Sequence, residues 1–167
     1  MIKSAVLSEC GKFRFRLERI WDETKPLFFV QMLNPSDADH ERNDPTILTL
    51  IRFGMSWGFG GFLAGNAYPI RSSTPDAIWK EAEPLGPNGV NDFHLRAMLE
   101  DPRVTTAVVA WGNNLPIEDE NQHRLRILEC GKLPMCMGIT KGGRPKHPLA
   151  RGKHRIPATQ QLQEWKL

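Results

Sequence analysis

Four short apolar segments alternate along this chain with stretches that carry helix-start signals. Each segment is far too short to cross a bilayer, and runs that are apolar on both faces are typical of buried strands in a parallel sheet. Strands that alternate with helices predict an open sheet covered by helices on both faces. We therefore expect an α/β fold, a three-layer α/β/α arrangement with a central four-stranded, mainly parallel sheet. The predicted strands cover residues 27–33, 60–65, 104–111 and 135–139.

Helices are predicted between these strands. Asp44 is a good N-cap residue and Pro45 fits the first helical position, so a helix is expected from there to about Trp57. Before the first buried strand, apolar and charged residues alternate over 12–17, which predicts a half-exposed strand. The other expected helices cover residues 74–82, 90–99 and 120–130.

The chain has the size and composition of one globular domain. It has 167 residues, of which 40% are hydrophobic and 25% are charged, enough for a single buried core. We divide the domain into an N-terminal strand or hairpin over 1–26, an α/β core over 27–150 and a basic tail over 151–167. We expect it to act as a monomer.

Cysteine usage and short motifs limit the cellular compartment and the classes of reaction that we expect. The three cysteines are not in a CxxC motif, and the N-terminus lacks an apolar signal region, so we expect a reduced, cytoplasmic protein without a membrane partner. Phosphate-binding and dinucleotide-binding glycine motifs are absent, as are the motifs of zinc deaminases and serine hydrolases. The five histidines lack metal-ligand spacing, and we expect neither a metal nor a cofactor.

Basic charge is concentrated near the C-terminus. From residue 139 onward there are seven Lys or Arg against one Glu, whereas the first 138 residues hold 15 basic and 18 acidic residues. Segregated basic charge suits a polyanion, and we expect a nucleic-acid partner, DNA in preference to RNA. The alternative is a solvated, partly disordered tail. The candidate phosphate-binding residues are Lys141, Arg144, Lys146, Arg151, Lys153 and Arg155.

Unusual polar residues follow the predicted strands, at the sheet edge where ligands of α/β proteins bind. Asn34 offers an acceptor and a donor that could hold a water molecule, and Asn66 could pair with a pyrimidine edge. His147 could donate to an oxygen that gains negative charge. Both asparagines are also common turn formers, which is their alternative interpretation. Nearby carboxylates could come from Asp37, Asp39 or Asp44.

Six segments in order resemble one known family. Residues 17–149 are similar to the domain of unknown function 1643 family, whose name carries no activity. The matching segments are FVQMLNPSDAD at 29–39, NDPT at 43–46, WGFG at 57–60, NAYPIR at 66–71, AWG at 110–112 and GITKGGRPKHPL at 138–149.

The same segments resemble, more distantly, the uracil-DNA glycosylase superfamily. That resemblance implies that Asn34 positions the attacking water, Asn66 reads the base edge and His147 stabilises the leaving base. Leu149 would fill the gap that a flipped base leaves. The iron–sulfur branch has four cluster cysteines that this chain lacks, so no cluster is expected.

Two further residues follow from this resemblance. Ser36 stands where the most efficient branch has a tyrosine that excludes 5-substituted pyrimidines, so space beside C5 is expected unless Tyr68 fills it. That branch also has Asp where Asn34 stands, which implies slower chemistry here.

The implied function is a glycosylase-like protein that flips a modified base and hydrolyses its N-glycosidic bond. Three alternatives remain: a non-catalytic reader of nucleic acid or modified bases, an N-glycosidic-bond enzyme on free nucleosides or nucleotides, and an accessory protein with merely polar loops.

Overall fold

One mixed sheet of seven strands organises residues 1–166, the part of the chain that this computed structural model describes. The strands are β1 (Ile2–Leu7), β2 (Arg14–Ile20), β3 (Leu27–Met32), β4 (Gly61–Asn66), β5 (Val104–Val109), β6 (Pro134–Cys136) and β7 (Gln163–Glu164). The helices are α1 (Pro45–Ser56), α2 (Asp76–Lys80), α3 (Val90–Glu100) and α4 (Ile117–Glu129), with a one-turn 3-10 helix at Gly152–His154.

The sheet contains the four strands predicted for its centre, the N-terminal pair β1 and β2 within the predicted strand or hairpin over 1–26, and the unpredicted strand β7. Its order is β1-β2-β4-β3-β5-β6-β7. The four predicted strands pair in parallel in the middle, whereas β1, β2 and β7 join the two edges in antiparallel pairings. The α/β class is thus confirmed. The expectation of a four-stranded sheet is wrong, because an apolar pattern identifies central strands but does not show which further strands pair with them at the edges of the sheet.

The central strand β3 is buried along its whole length, as its predominantly apolar sequence predicts. Phe29 packs into a hydrophobic cluster on one side of the sheet with residues of α3, such as Leu95. Phe28 packs into a second cluster on the other side, where α1 contributes Ile47 and Leu50. Burial on both faces fixes β3 at the centre of the sheet.

Helix α1 begins where the sequence predicts. Asp44 is its N-cap, and the Asp44 carboxylate accepts a hydrogen bond from the backbone amide of Ile47 at 2.8 Å. Pro45 occupies the first helical position and Trp57 the C-cap. The start of α1 lies just beyond the carboxyl end of β3, so capping also holds Asp44 at that edge of the sheet.

Strand β2 is not the half-exposed strand that its alternation predicts. It lies between β1 and β4, and its pairing with β1 contains one extra residue, Phe15, opposite the step from Val6 to Leu7. Such a bulge reverses which face the following side chains occupy. Arg14 is therefore turned to the same side as Arg19, and both side chains are buried.

The end of the C-terminal tail belongs to the fold. Strand β7 pairs with β6, and Trp165 is 1% exposed. The indole of Trp165 packs edge-on against Trp111 with ring centroids 5.4 Å apart and donates to the carbonyl of Gly143 at 3.0 Å. The alternative of a solvated, partly disordered tail is therefore wrong for residues 163–165. Leu167 lies outside the described range. Among residues 1–166, no helix is both long and apolar enough to cross a membrane.

A buried imidazole ties α4 to the central strand. The Nδ1 atom of His123 accepts hydrogen bonds from Gln31 Nε2 and from Arg126, each at 2.7 Å. Both partners are donors, so Nδ1 carries no proton and the ring is neutral. Burial, together with the charge of Arg126, lowers the pKa of His123 to about 3.

This depressed pKa predicts a loss of stability in mild acid. Unfolded His123 takes up a proton below its ordinary pKa of about 6.5, whereas the folded ring does not, so stability falls as pH drops below that value. One such group changes the free energy of unfolding by about 1.4 kcal/mol per pH unit. Denaturant unfolding at pH 7 and pH 5 should show this loss, and His123→Gln should reduce it. The exposed His40→Gln variant is the control, and equal pH dependence in all three proteins would contradict the assignment.

Candidate functional site

A cleft of about 710 Å³ opens at the carboxyl ends of the parallel strands. Strand β4 pairs with β3 on one side, and β5 pairs with β3 on the other side. The chain therefore turns in opposite directions after β3 and before β5, and the carboxyl ends of these two strands flank a crevice. The cleft is lined by the loops after β3, β4, β5 and β6 and by the first turn of α1. Its volume falls in the range of small-molecule and cofactor sites.

Asn34 lines the cleft directly after β3. Its Nδ2 atom donates to the backbone carbonyls of Ser72 at 3.0 Å and Pro35 at 3.3 Å. These bonds fix the amide plane and use its donor side. The Oδ1 atom is left as the acceptor, which is the atom that would hold a water molecule.

His147 lines the same cleft from the loop after β6. Its Nδ1 atom accepts a hydrogen bond from the backbone amide of Leu149 at 3.1 Å, so the ring proton is on Nε2. Burial lowers the pKa of His147, and the nearby charge of Asp44 only partly opposes this shift. The ring is therefore a neutral hydrogen-bond donor at neutral pH.

Ser36 and two carboxylates also line the cleft. The Ser36 hydroxyl donates to one oxygen of Asp44, whose other oxygen caps α1. Asp37 lines the wall and is exposed, whereas Asp39 does not line it and instead accepts two backbone amides of its own loop. Of the three carboxylates considered from sequence, Asp37 and Asp44 are therefore at the site. Ser36 presents a small side chain there, as expected.

Asn66 and Tyr68 do not reach the cleft wall. Asn66 ends β4 with 1% exposure, and its Oδ1 atom accepts from Arg14 at a distance of 3.5 Å. The Tyr68 hydroxyl donates to Asp119, and its ring packs edge-on against Trp79. The expectation that Asn34, Asn66 and His147 meet at one pocket holds for Asn34 and His147 and not for Asn66. Tyr68 likewise does not fill the space beside Ser36.

The six basic residues predicted to bind phosphate have three different placements. Lys141, Lys146 and Arg151 line the cleft, as does Leu149. Arg144 instead pairs with buried Glu120 at 3.0 Å, which makes it part of the fold. The remaining two, Lys153 and Arg155, are exposed to solvent outside the cleft wall.

Arg14 is a residue of the cleft that the sequence pattern does not reveal. Its side chain is 2% exposed, and it contributes to the cleft wall in front of Asn66. Its position among alternating charged residues gave no sign of burial, because the bulge at Phe15 decides which way Arg14 turns. The only sign of its role in the sequence is that Arg14 is next to an apolar strand residue, Phe15.

Within the described residues, no group of three or more His, Cys, Asp or Glu side chains is placed to bind a metal ion. The cleft lining itself offers hydrogen-bond donors, acceptors and cationic groups. That set suits a polar, anionic ligand.

Comparison with known proteins assigns the chain to one family. The model of the family described as "Protein of unknown function (DUF1643)" matches residues 14–149. No curated protein matches the chain, and no solved structure does. The matched range contains every strand of the parallel centre and the loops that carry Asn34 and His147. The chain therefore belongs to the DUF1643 family.

Proposed function

We propose that this protein binds nucleic acid, preferably DNA, with one nucleotide turned out into the cleft, and hydrolyses the N-glycosidic bond of that nucleotide. The observation that carries the proposal is that Asn34 and His147, far apart in sequence, line one cleft at the carboxyl ends of the parallel strands. We extend the proposal to the fold, as a three-layer arrangement of the uracil-DNA glycosylase type. Helix α1 on one side of the sheet and α3 on the other support this extension.

The chemistry divides between the two side chains. The Oδ1 atom of Asn34 accepts a hydrogen bond from a water molecule and orients its oxygen toward the anomeric carbon. As the C–O bond forms, the C–N bond breaks and its electron pair leaves with the base. The Nε2–H of His147 donates to the base oxygen on which this negative charge collects. The proton lost by the water ends on solvent or on the departed base, so the step balances as a hydrolysis.

Neutral His147 suits this role. A neutral imidazole stabilises an anion by a hydrogen bond and does not need to regain a proton between turnovers. Its lowered pKa keeps it in this form at neutral pH. Its Nδ1 bond with the Leu149 amide keeps the donor nitrogen in a fixed orientation.

The cationic residues support backbone binding without sequence reading. Lys141, Lys146 and Arg151 at the cleft would contact phosphates beside the turned-out nucleotide, and Lys153 with Arg155 would extend this surface. Arg144 is left out because Glu120 already pairs with it. Leu149 lies on the cleft wall, and its proposed role is to pack against bases next to the gap.

Salt dependence tests this surface. If five cations each meet one phosphate, log K should fall with log salt at a slope of about −0.9 per contact on duplex DNA. Lys141→Gln should flatten the slope by about one contact's share. Lys25→Gln is the matched control, because Lys25 precedes β3 and lies at the opposite end of the sheet. Affinity that is equal at low and moderate salt would contradict the surface.

Base release tests the proposed reaction. The protein is incubated with duplexes that carry a panel of pyrimidines, each with and without a substituent at C5, and freed base is detected by mass. Release of at least one base is expected. Because Ser36 is small and Tyr68 is elsewhere, a C5-substituted base should be preferred over uracil. Binding without release of any base would favour the non-catalytic reader.

Lys153 and Arg155, the two exposed cations outside the cleft wall, distinguish the proposed DNA enzyme from an enzyme that acts on free nucleosides or nucleotides. Neutralising Lys153 and Arg155 should weaken activity on duplexes and leave a free-nucleotide activity unchanged. Point substitutions serve better than truncation, because β7 is part of the sheet and Trp165 is part of the buried core.

A further inference from the structure

Two arginines on β2 are buried to a similar degree but are bound very differently. Arg19 donates from Nε to Asn43 at 2.7 Å, and its two terminal nitrogens donate to three backbone carbonyls at 2.5 to 2.9 Å. Arg14 donates to the carbonyl of Ala38 at 2.7 Å and, at a long 3.5 Å, to Asn66. Its Nε has no hydrogen-bond partner among the described residues.

Arg14 also has no close counter-charge. Its hydrogen bonds within residues 1–166 go to the uncharged partners Ala38 and Asn66, and the carboxylates of Asp44 and Asp39 act on its charge from further away. Burial lowers the pKa of Arg14 to about 10, so the group stays charged at neutral pH. A buried, charged and incompletely bonded guanidinium is costly unless an acceptor completes it.

A second unused donor lies beside the first. The Nδ2 atom of Asn66 is buried and has no partner among the described residues, and the same side chain contacts Arg14 through its oxygen. Asn66 is off the cleft wall, so the donor that a ligand of the cleft can complete is that of Arg14, and it indicates a place for an oxygen-rich group. Since Arg14 forms part of the cleft wall, that group belongs to the ligand of the cleft.

We propose that the ligand carries an anionic group, a phosphate or a carboxylate, which binds to the guanidinium of Arg14. This rests on the proposed function in taking the ligand to be a nucleotide. The group is then either a nucleotide phosphate or an acidic substituent on the base. Arg14 is thereby a substrate-binding residue, with Asn66 positioning it from behind.

The charge of the cleft favours an anion over a neutral carbonyl. Four cationic side chains line the wall, namely Arg14, Lys141, Lys146 and Arg151, against the carboxylates of Asp37 and Asp44. Both oxygens of Asp44 are already engaged, by the Ser36 hydroxyl and by the start of α1. Guanidinium binds oxyanions in bidentate fashion, and such bonds are roughly twice as strong as neutral ones.

The test uses the intact wild-type protein labelled with nitrogen-15, in which each arginine Nε–H gives a separate NMR signal. Arg14→Lys and Arg19→Lys assign the two signals. The probes are deoxycytidine, its 5′-monophosphate, 5-carboxydeoxycytidine and inorganic phosphate. A probe that carries the right anion should shift the Arg14 signal and bind about tenfold or more tightly than deoxycytidine. The Arg19 signal, whose Nε–H already bonds to Asn43, is the internal control.

The outcomes separate the sources of the anion. A shift with both phosphate probes supports a phosphate, and a shift with the carboxylated nucleoside alone supports an acidic base. Equal shifts at Arg14 and Arg19, or no shift with any anion, overturn the proposal. If bases are released from DNA while no anion shifts Arg14, the proposed function stands and this inference fails. If phosphate shifts Arg14 but no base is ever released, the anion site stands and the proposed function fails.

Discussion

Replacing His147 with alanine is expected to lower the rate of base release by about 100- to 1000-fold, the usual effect of removing one donor to a developing oxyanion. The loss should fall mainly on kcat, because the bond to His147 Nε2–H strengthens only as charge reaches the base. Single-turnover kinetics on the best duplex of the panel measures it. The pH profile adds a second readout: the loss of activity in acid, as His147 gains a proton, should be centred below pH 6.5, because burial lowers the pKa of His147 from its ordinary value.

The exposed His40→Ala variant is the control for this loss, since His40 lies outside the cleft wall. Thermal unfolding of both variants shows whether the missing Nδ1 contact with Leu149 has weakened the fold. Equal rates for His147→Ala and the wild type would show that His147 does not touch the leaving base. A loss confined to KM would assign it to binding alone.

Replacing Asn34 with alanine is expected to lower kcat by about 100-fold, because positioned groups that orient a reacting water contribute on that order or more. Substrate affinity should change little, since the Asn34 amide would hold the water and not the base. Asn34→Asp tests the same atom differently. A carboxylate keeps the acceptor and adds a basic charge, so its rate should equal or exceed that of the wild type.

Asn121→Ala on the exposed side of α4 is the matched control and should retain full activity. The Asn34 variants also lose or change the bond to the Ser72 carbonyl, so their unfolding midpoints must accompany the rates. If Asn34→Ala and Asn34→Asp are equally slow, the residue orders the loop and does not orient water.

The centre of the fold follows from local sequence properties. Strand β3 is apolar on both faces, and Asp44 with Pro45 marks the start of α1, so neither depends on distant partners. The edges could not be predicted in the same way. Strand β7 has only two residues, and its place beside β6 depends on Trp165 packing against Trp111.

The site was predictable where a side chain directly follows a central strand. Asn34 follows β3, and the loop of His147 follows β6, so topology alone brings them to one edge. Asn66 also ends a central strand, yet Arg14 covers it. That outcome depends on one extra residue in β2, and an alternating pattern cannot reveal a bulge.

The most direct test of the central claim is base release in water enriched in oxygen-18. Hydrolysis of an N-glycosidic bond adds the water oxygen to the anomeric carbon of the sugar and none to the base. Mass spectrometry of the best substrate should therefore find one heavy oxygen in the abasic strand and an unlabelled free base. Label in the base, or no base released from any duplex of the panel, would contradict the account.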